Sequence, residues 1–328
     1  MKLQKIFILS FLINPVFLFN LYARSTTYRQ PNGNFPIPFT DTPRQLSVRC
    51  IITYKVSVPG DTRWVRLTAL TPESMPNIQK IKRIDYSIKP FRFFRQNGNR
   101  YAEFMIQNPD RIEKLEIIIS AELYSYDLQT AKENKNKNEF QETGLEEYLR
   151  HERYIEKDDR QILKIAKAIE GTTEIQIVRK IYNYVLDTME YAVHGKKDRG
   201  ALKALQYKKG DCSEYADLFV AICRAKKIPA RVVTGISVQS DTSTAKHNWA
   251  EVYLKDYGWV PFDPSKGDVK FASLQDRLFS TLEPTYIYYS HLRNDNILQN
   301  FHYCAFSYFG DEVKVTDSVE FEFPKSSK

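Results

Sequence analysis

The sequence predicts an α+β protein, with an all-β first part followed by a core of helices packed on further strands. Three observations predict it. Leu46, Val48, Cys50, Ile52, Tyr54, Val56 and Val58 occupy every second position, the period of a strand with one buried face. Beyond Asp158 the apolar spacing lengthens to that of a helix, at Ile162, Ile165, Ala166 and Ile169. Between the two regimes, Gln129 to Gly144 is polar and rich in Lys, Asn and Glu, the composition of a domain boundary.

The chain has 328 residues, more than one domain usually holds, and its 42% apolar and 27% charged residues exclude wholesale disorder. Its 21 Tyr and 20 Phe favour sheet. The first 23 residues form a leader: Lys2 and Lys5 precede an apolar run from Ile6 to Leu21, and Leu21-Tyr22-Ala23 offers a cleavage point. A retained anchor is the alternative reading, but Asn14 and Pro15 interrupt the run. No Cys follows it to carry a lipid. The expectation is an exported protein, periplasmic or secreted, with no stable membrane insertion once residues 1–23 are removed. Loss of Lys2 and Lys5 takes the formal charge from +8 to +6, and the remaining basic residues lie in short scattered clusters. No basic stripe interleaved with aromatics is present, which argues against nucleic acid as a partner.

Further strands read at Trp64 to Leu70, Tyr101 to Ile106 and Leu115 to Tyr124, with a turn at Asn97-Gly98-Asn99. Together they predict a β-sandwich of about one hundred residues over 24–142. A second domain follows over 143–290, and a strand-rich extension whose attachment is open occupies 291–328. In the second domain Asp158 or Asp159 caps one helix, and Thr173 with Gln176 forms a capping box for the next. Asp211-Cys212-Ser213 opens a helix reaching Lys227 that is apolar on nearly every side, and so central and buried. Strands at Arg231 to Val238, His247 to Leu254 and Trp259 to Asp263 follow, the last two joined by a short turn.

Four cysteines occur, at 50, 212, 223 and 304, none in a C-x-x-C pair or near a His at ligand spacing. No metal site and no cofactor are therefore expected. Cys50 with Cys304 is a candidate disulfide, against the alternative that both are buried free thiols.

Cys212 has the position that best favours a thiolate. At a helix start, orphan N–H groups and the macrodipole stabilise negative charge, and the same donors can hold an oxyanion. Cys223, eleven residues on and mid-helix, reads as a small buried apolar residue. A cysteine nucleophile needs an imidazole to take its proton and protonate the leaving amine. His247 stands at a strand start where it could meet the helix end; His151 and His194 lie in polar contexts, and His291 and His302 in the unassigned tail. Asp263 ends the strand next to that of His247, where a carboxylate would fix the imidazole tautomer; a turn-forming role before Pro264 is its alternative.

At these residues the sequence resembles the transglutaminase-like superfamily. Gly210-Asp211-Cys212-Ser213-Glu214-Tyr215-Ala216, running on to Ile228-Pro229-Ala230-Arg231, resembles its cysteine block. His247-Asn248-Trp249-Ala250-Glu251-Val252-Tyr253 resembles its histidine block, with Asn248 where Ala is commoner, and Gly258-Trp259-Val260-Pro261-Phe262-Asp263-Pro264 its aspartate block. The resemblance covers about residues 145 to 267, and the β-rich segment before it is similar to the N-terminal sandwich of many bacterial members. It implies a papain-like core, with the nucleophile helix packed on an antiparallel sheet carrying His and Asp. It also implies acyl transfer through a Cys thioester without cofactor, on a peptide or protein substrate. Two acceptors compete: water, giving a peptidase or amidase, and an amine, giving a cross-linking transferase. A third reading is a non-catalytic envelope binding or scaffold protein. Gln206, six residues before Cys212, and Tyr191 are candidates for a second oxyanion donor.

N-terminal sequencing of the native protein is expected to begin at Arg24 or within a residue or two of it. Recovery of Met1 on native protein would refute the leader.

Overall fold

The alternation beginning at Leu46 forms one of the two longest strands of the molecule, the centre of an antiparallel sheet. The computed structural model describes residues 5–7, 45–58, 60–133, 144–193, 198–238, 245–279, 281–299 and 301–324. In chain order the first strands are β1 (Lys5–Phe7), β2 (Gln45–Ser57), β3 (Thr62–Thr71), β4 (Gln79–Tyr86), β5 (Arg92–Gln96), β6 (Asn99–Gln107) and β7 (Ile112–Tyr124). Then come β8 (Tyr126–Asp127), α1 (Leu128–Glu133), α2 (Arg160–Ala168), α3 (Glu174–Thr188), β9 (Glu190–Tyr191), α4 (Ala201–Tyr207) and β10 (Lys209–Gly210). The remainder is α5 (Cys212–Ala225), β11 (Ala230–Ser237), β12 (Lys246–Leu254), β13 (Gly258–Phe262), α6 (Pro264–Gly267), α7 (Ala272–Leu278), β14 (Thr281–Leu282), β15 (Tyr286–Ser290), β16 (Cys304–Gly310) and β17 (Lys314–Glu322). Apart from Lys5–Phe7, the expected leader and its cleavage point lie outside the described residues.

Two antiparallel sheets, ordered β1-β16-β3-β6-β5 and β17-β2-β7-β4, enclose one core. Val48, Cys50, Ile52, Tyr54 and Val56 of β2 meet Val65 and Leu67 of β3 and Phe104 of β6 there. The Asn97-Gly98 turn joins β5 to β6 with both residues at positive φ, 51° and 80°, as a tight two-residue hairpin requires. Sequence reasoning placed this sandwich entirely ahead of residue 142 and set 291–328 apart; the structure corrects that division. β16 pairs with β3, and β17 runs antiparallel along β2 from Lys314↔Ser57 to Glu322↔Arg49. The physical reason lies in the edges. β2 pairs with β7 and β3 with β6, so each would present an open ladder on its other side without the returning strands.

The second sheet system is ordered β13-β12-β11-β15, antiparallel throughout. α5 packs on one face of it: Phe219 and Val220 share a core with Val232, Ala250, Val252, Val260 and Phe262. Every α5 residue from Ser213 to Arg224 is buried, as its all-round apolar sequence requires. The other face carries Val233, Trp249, Tyr286 and Tyr288, packed against Met75 and Ile78 of the first part. There the Gln79 side chain acts as one more strand residue. Its Nε2 donates to the Tyr288 carbonyl at 2.9 Å and its Oε1 accepts the Tyr288 N–H at 2.7 Å. The two parts are thus joined beside the residue 129–144 boundary, where β8 also pairs with β14.

The expected caps form with one change. Asp159 accepts the Gln161 N–H at 2.7 Å, and Thr173 accepts that of Gln176 at 3.3 Å. The Gln176 amide oxygen, however, turns to the N–H and hydroxyl of Thr172. Cys50 and Cys304 are buried free thiols, not a disulfide. The return segment before β16 is anchored by Arg293, whose guanidinium forks onto Asp217 of α5 at 2.6 and 2.9 Å and reaches Asp198 at 2.8 Å.

A buried ion pair crosses the β13-β12-β11-β15 sheet. Glu251, 1% exposed, receives Arg231 Nε at 2.8 Å and pairs with His291 Nε2 at 3.3 Å. Burial alone would raise its carboxyl, but the Arg231 and His291 charges outweigh that and hold it at about 2, below the ordinary 4.5. A carboxyl depressed on folding stabilises the fold above its unfolded value and loses that contribution as pH falls through its folded one. Glu251→Gln should therefore cost roughly 2–4 kcal/mol at neutral pH, with the deficit shrinking as pH drops from about 4.5 toward 2. Urea unfolding across that range tests it, and a deficit independent of pH would refute the pairing.

Candidate functional site

Cys212 is the first residue of α5, and the chain before it is built to make that helix start rigid. The Asp211 carboxylate accepts the Ser213 N–H at 2.9 Å, and Glu214 Oε2 folds back to accept the Asp211 N–H at 3.1 Å, a reciprocal capping box. Glu214 also accepts the Arg199 N–H at 2.9 Å. A Cβ at position 210 would lie 2.4 Å from Glu214 Cβ, so only Gly210 lets the glutamate fold back. At the first helical position the Cys212 N–H has no intrahelical acceptor.

His247 is the second residue of β12. β13 pairs with β12 only as far as Ala250↔Phe262, so the beginning of β12 is unpaired on that side. Asp263 and the Cys212 end of α5 occupy this gap, and the Cys212 sulfur accepts the backbone N–H of Asn248. Asp263 caps α6 and directs its carboxylate at the imidazole: Oδ2 lies 2.6 Å from His247 Nε2 and accepts the Tyr286 hydroxyl at 2.7 Å. Its Oδ1 accepts the Ser265 hydroxyl at 2.8 Å and the Lys266 N–H at 3.1 Å. The imidazole lies beside Trp249, near-parallel to it with centroids 6.0 Å apart, and at the same distance from Tyr286. Its Nε2 is thus committed to Asp263, leaving Nδ1 as the nitrogen available to a thiol.

Electrostatics divide the labour. Burial of Asp263 would raise its carboxyl, but the charge and hydrogen bond of His247, then Lys266 and Tyr286, hold it well below the usual carboxylate range. It stays an anion. Burial pushes the Cys212 thiol up, as does the Asp211 carboxylate; the Asn248 N–H pulls it down, and Asp263 and Glu214 add to the upward push. The sequence led to the expectation that the helix start, together with His247, would activate this thiol. Here burial, and after it the carboxylates of the capping box and of Asp263, oppose the dipole and favour the protonated thiol.

Asn248, singled out in the sequence only as a departure from the commoner Ala, holds the helix start to the sheet. Its Nδ2 donates to the Ser213 hydroxyl at 2.9 Å and its Oδ1 accepts that of Thr234 at 2.9 Å. His302, given low priority in the tail, lies 3.5 Å from Asn248 Nδ2 through Nδ1 and 2.9 Å from Asp198 through Nε2. His151 sits on the surface 3.8 Å from Asp158, and His194 lies outside the described residues.

Of the two oxyanion candidates, Tyr191 is brought to the nucleophile's end of the molecule. β9 pairs with β10, setting Tyr191 opposite Gly210, and its ring lies 6.2 Å from that of Tyr215. Gln206 is exposed on α4 and lines a surface groove with Gln161, Lys164, Ile165 and Tyr184, a groove that shares no residue with the surroundings of Cys212 and His247. Gln206 lies on α4 itself, which ends at Tyr207 before the left-handed Lys208, and its side chain faces that groove. Tyr286, Ser265 and Lys266 escaped sequence reasoning; a polar residue two or three positions after Asp263, at a helix start, was the one available signal.

Comparison with known proteins bears on the fold that carries these residues. Residues 163–264 match the family model of the transglutaminase-like superfamily. An uncharacterized protein of Haemophilus influenzae is 26% identical over 231 residues, covering 56% of this chain and 62% of its own. YebA of Bacillus subtilis is 34% identical over 73 residues, 18% of this chain and 10% of its own. The chain thus spans less than two thirds of both relatives. The crystal structure of a candidate cysteine protease from Cytophaga hutchinsonii superposes with a TM-score of 0.60 at 16% identity, covering 88% of this chain and 94% of that one. That likeness establishes the fold.

At neutral pH, iodoacetamide should label Cys212 much faster than the fully buried Cys223. Because the environment raises the thiol, His247→Ala should slow Cys212 labelling at least tenfold and move its pH profile to the alkaline side. Equal labelling of Cys212 in both proteins would remove it as an activated nucleophile.

Proposed function

From a chain that carries a transglutaminase-like domain, we propose an exported thiol enzyme that cleaves amide bonds of peptide or protein substrates through a Cys212 thioester. The observation that carries the reading is the buried His247–Asp263 pair, 2.6 Å apart, set in the same gap as the first residue of α5. Asp263 holds the imidazole with Nε2 toward itself and supports its positive charge. His247 takes the Cys212 proton; the sulfur attacks the carbonyl carbon, and the carbonyl oxygen becomes an oxyanion within reach of the Cys212 N–H. As the C–N bond breaks, His247 returns the proton to the leaving amine. Water, deprotonated by His247, then attacks the thioester, releasing the acid and the Cys212 thiol. Tyr191, opposite Gly210, remains the candidate for a second oxyanion donor.

Hydrolysis is favoured over amine transfer by where the aromatic residues go. A transferase must hold an amine against concentrated water, which calls for an apolar passage beside the nucleophile. Trp249 is fully buried, wedged edge-to-face against Tyr286 and Tyr288 at 5.0 and 4.7 Å. Trp259 packs against Tyr148 and Tyr253 and lies under Arg231. Both serve packing, and neither supplies the wall of such a passage.

Mass spectrometry of Cys212 after exposure to a mixture of amide substrates should find an acyl adduct that Cys212→Ser lacks. With a glutamine-containing peptide and a labelled primary amine at millimolar concentration, free acid and truncated peptide should exceed amine adduct; the opposite ratio would make the protein a transferase. Chelators should leave turnover unchanged, and a loss restored by calcium would reveal a site that residue spacing conceals.

A further inference from the structure

A tyrosine hydroxyl reaches into the β11–β12 ladder at His247. His247 pairs with Gly235, yet the His247 N–H donates to the hydroxyl of Tyr303 at 3.1 Å, and that hydroxyl donates to the Gly235 carbonyl. One side-chain hydroxyl thus bonds a main-chain group on each of the two strands. β11 accommodates this at a glycine, where its pairing with β15 also slips a register between Thr234 and Gly235. A Cβ at 235 would lie 2.2 Å from the Ile287 carbonyl oxygen and 2.4 Å from the Trp249 ring, so no larger residue fits.

Tyr303 does not come from the catalytic sheet. It immediately precedes β16, and its carbonyl accepts the Leu70 N–H of β3 at 2.8 Å, which pins its backbone to the β-sandwich. Its ring is buried between Tyr289 and His302, with Lys246 Nζ 4.8 Å from its centre. Lys246, next to His247, is itself tied to Asp317 of β17 at 2.6 Å. The strand start that carries the imidazole is therefore held from the sandwich side at two consecutive residues.

We propose that Tyr303 is a positioning residue for the Cys212–His247–Asp263 site: its hydroxyl bridge sets the backbone of His247, and so the imidazole, against the nucleophile. The inference rests on the thiol-enzyme reading above and extends it. The returning C-terminal segment and the sandwich it completes are part of the catalytic apparatus, and residues 143–290 alone lack a piece of the site. With the hydroxyl gone, the His247 N–H and the Gly235 carbonyl lose the partner that both share, and the imidazole can shift relative to Asp263 and Cys212.

Tyr303→Phe removes the hydroxyl and keeps the ring. Tyr289→Phe is the matched control, since that buried hydroxyl has no hydrogen-bond partner among the described residues. In the full-length protein, iodoacetamide labelling of Cys212 across pH should be about tenfold slower at neutral pH in Tyr303→Phe, with its profile moved to the alkaline side. Tyr289→Phe should match the unmutated protein, and thermal midpoints of the two variants should agree within a few degrees. Hydrogen–deuterium exchange over residues 246–250 should change in Tyr303→Phe alone. Slow labelling in His247→Ala with an unmutated profile in Tyr303→Phe would overturn the positioning role and leave the triad standing. Unmutated profiles in both would overturn the triad itself and this inference with it. Equal slowing in Tyr303→Phe and Tyr289→Phe would reduce Tyr303 to a packing residue.

Discussion

A carboxylate sealed from water must be surrounded by donors, and the rest of this site is arranged to meet that demand at Asp263. Four donors converge on it: the His247 ring, the Tyr286 hydroxyl, the Ser265 hydroxyl and the Lys266 N–H. They come from three places: β12, β15 and the start of α6. β13 has to end one residue earlier, at Phe262, so that the chain can turn and present the acid. α6, only four residues long, exists to be capped by it. β15 joins the far edge of the sheet, and its first residue brings Tyr286 across to the acid. The imidazole is the one member of this set with a free nitrogen, and that nitrogen is where the chemistry can proceed.

The nucleophile's own surroundings oppose its ionisation. Asp211 and Glu214 are needed to cap α5, since the orphan N–H groups of a wholly buried helix must find acceptors. They place two carboxylates within a turn of the sulfur. The consequence is a thiol that keeps its proton until an imidazole stands ready to receive it. On the thiol-enzyme proposal, ionisation would be coupled to a correctly placed His247, and a displaced imidazole would leave an unreactive thiol instead of an exposed thiolate open to oxidation.

Much of this was legible in the sequence, because most of it is local. The Asp211–Glu214 capping box, the all-round apolar face of α5, and the hairpin that sets Asp263 beside the strand of His247 are each written within about twenty residues. What was not legible depends on chain segments far apart in number. The alternation from Phe301 to Phe323 announced strands but not partners, because a strand's period carries no address; only the open edges of β2 and β3 supply one. Asn248 looked like a departure from a pattern, and its function becomes visible only when Ser213 and Thr234 stand on either side of its amide. Gln206 shows the converse error. Its spacing from Cys212 matched a known arrangement, but the left-handed turn at Lys208 ends α4 so that the amide faces the groove beside α2.

The same contrast bears on what the β-sandwich is for. Composition and strand count present it as an appendage, a separable module for substrate or partner. The contacts point elsewhere. Gln79 from one end of β4 completes the hydrogen bonding of β15, which carries Tyr286. β17 holds Lys246, and the residue ahead of β16 bridges His247 to Gly235. The last two act on His247 or on its immediate neighbour, and the first on the strand that carries Tyr286. A structural appendage would contact the core at its periphery, where small shifts are harmless. Contacts concentrated on the strand ends that aim the imidazole make the sandwich a mount for the catalytic dyad, since placement errors of about 1 Å suffice to lose most of a rate.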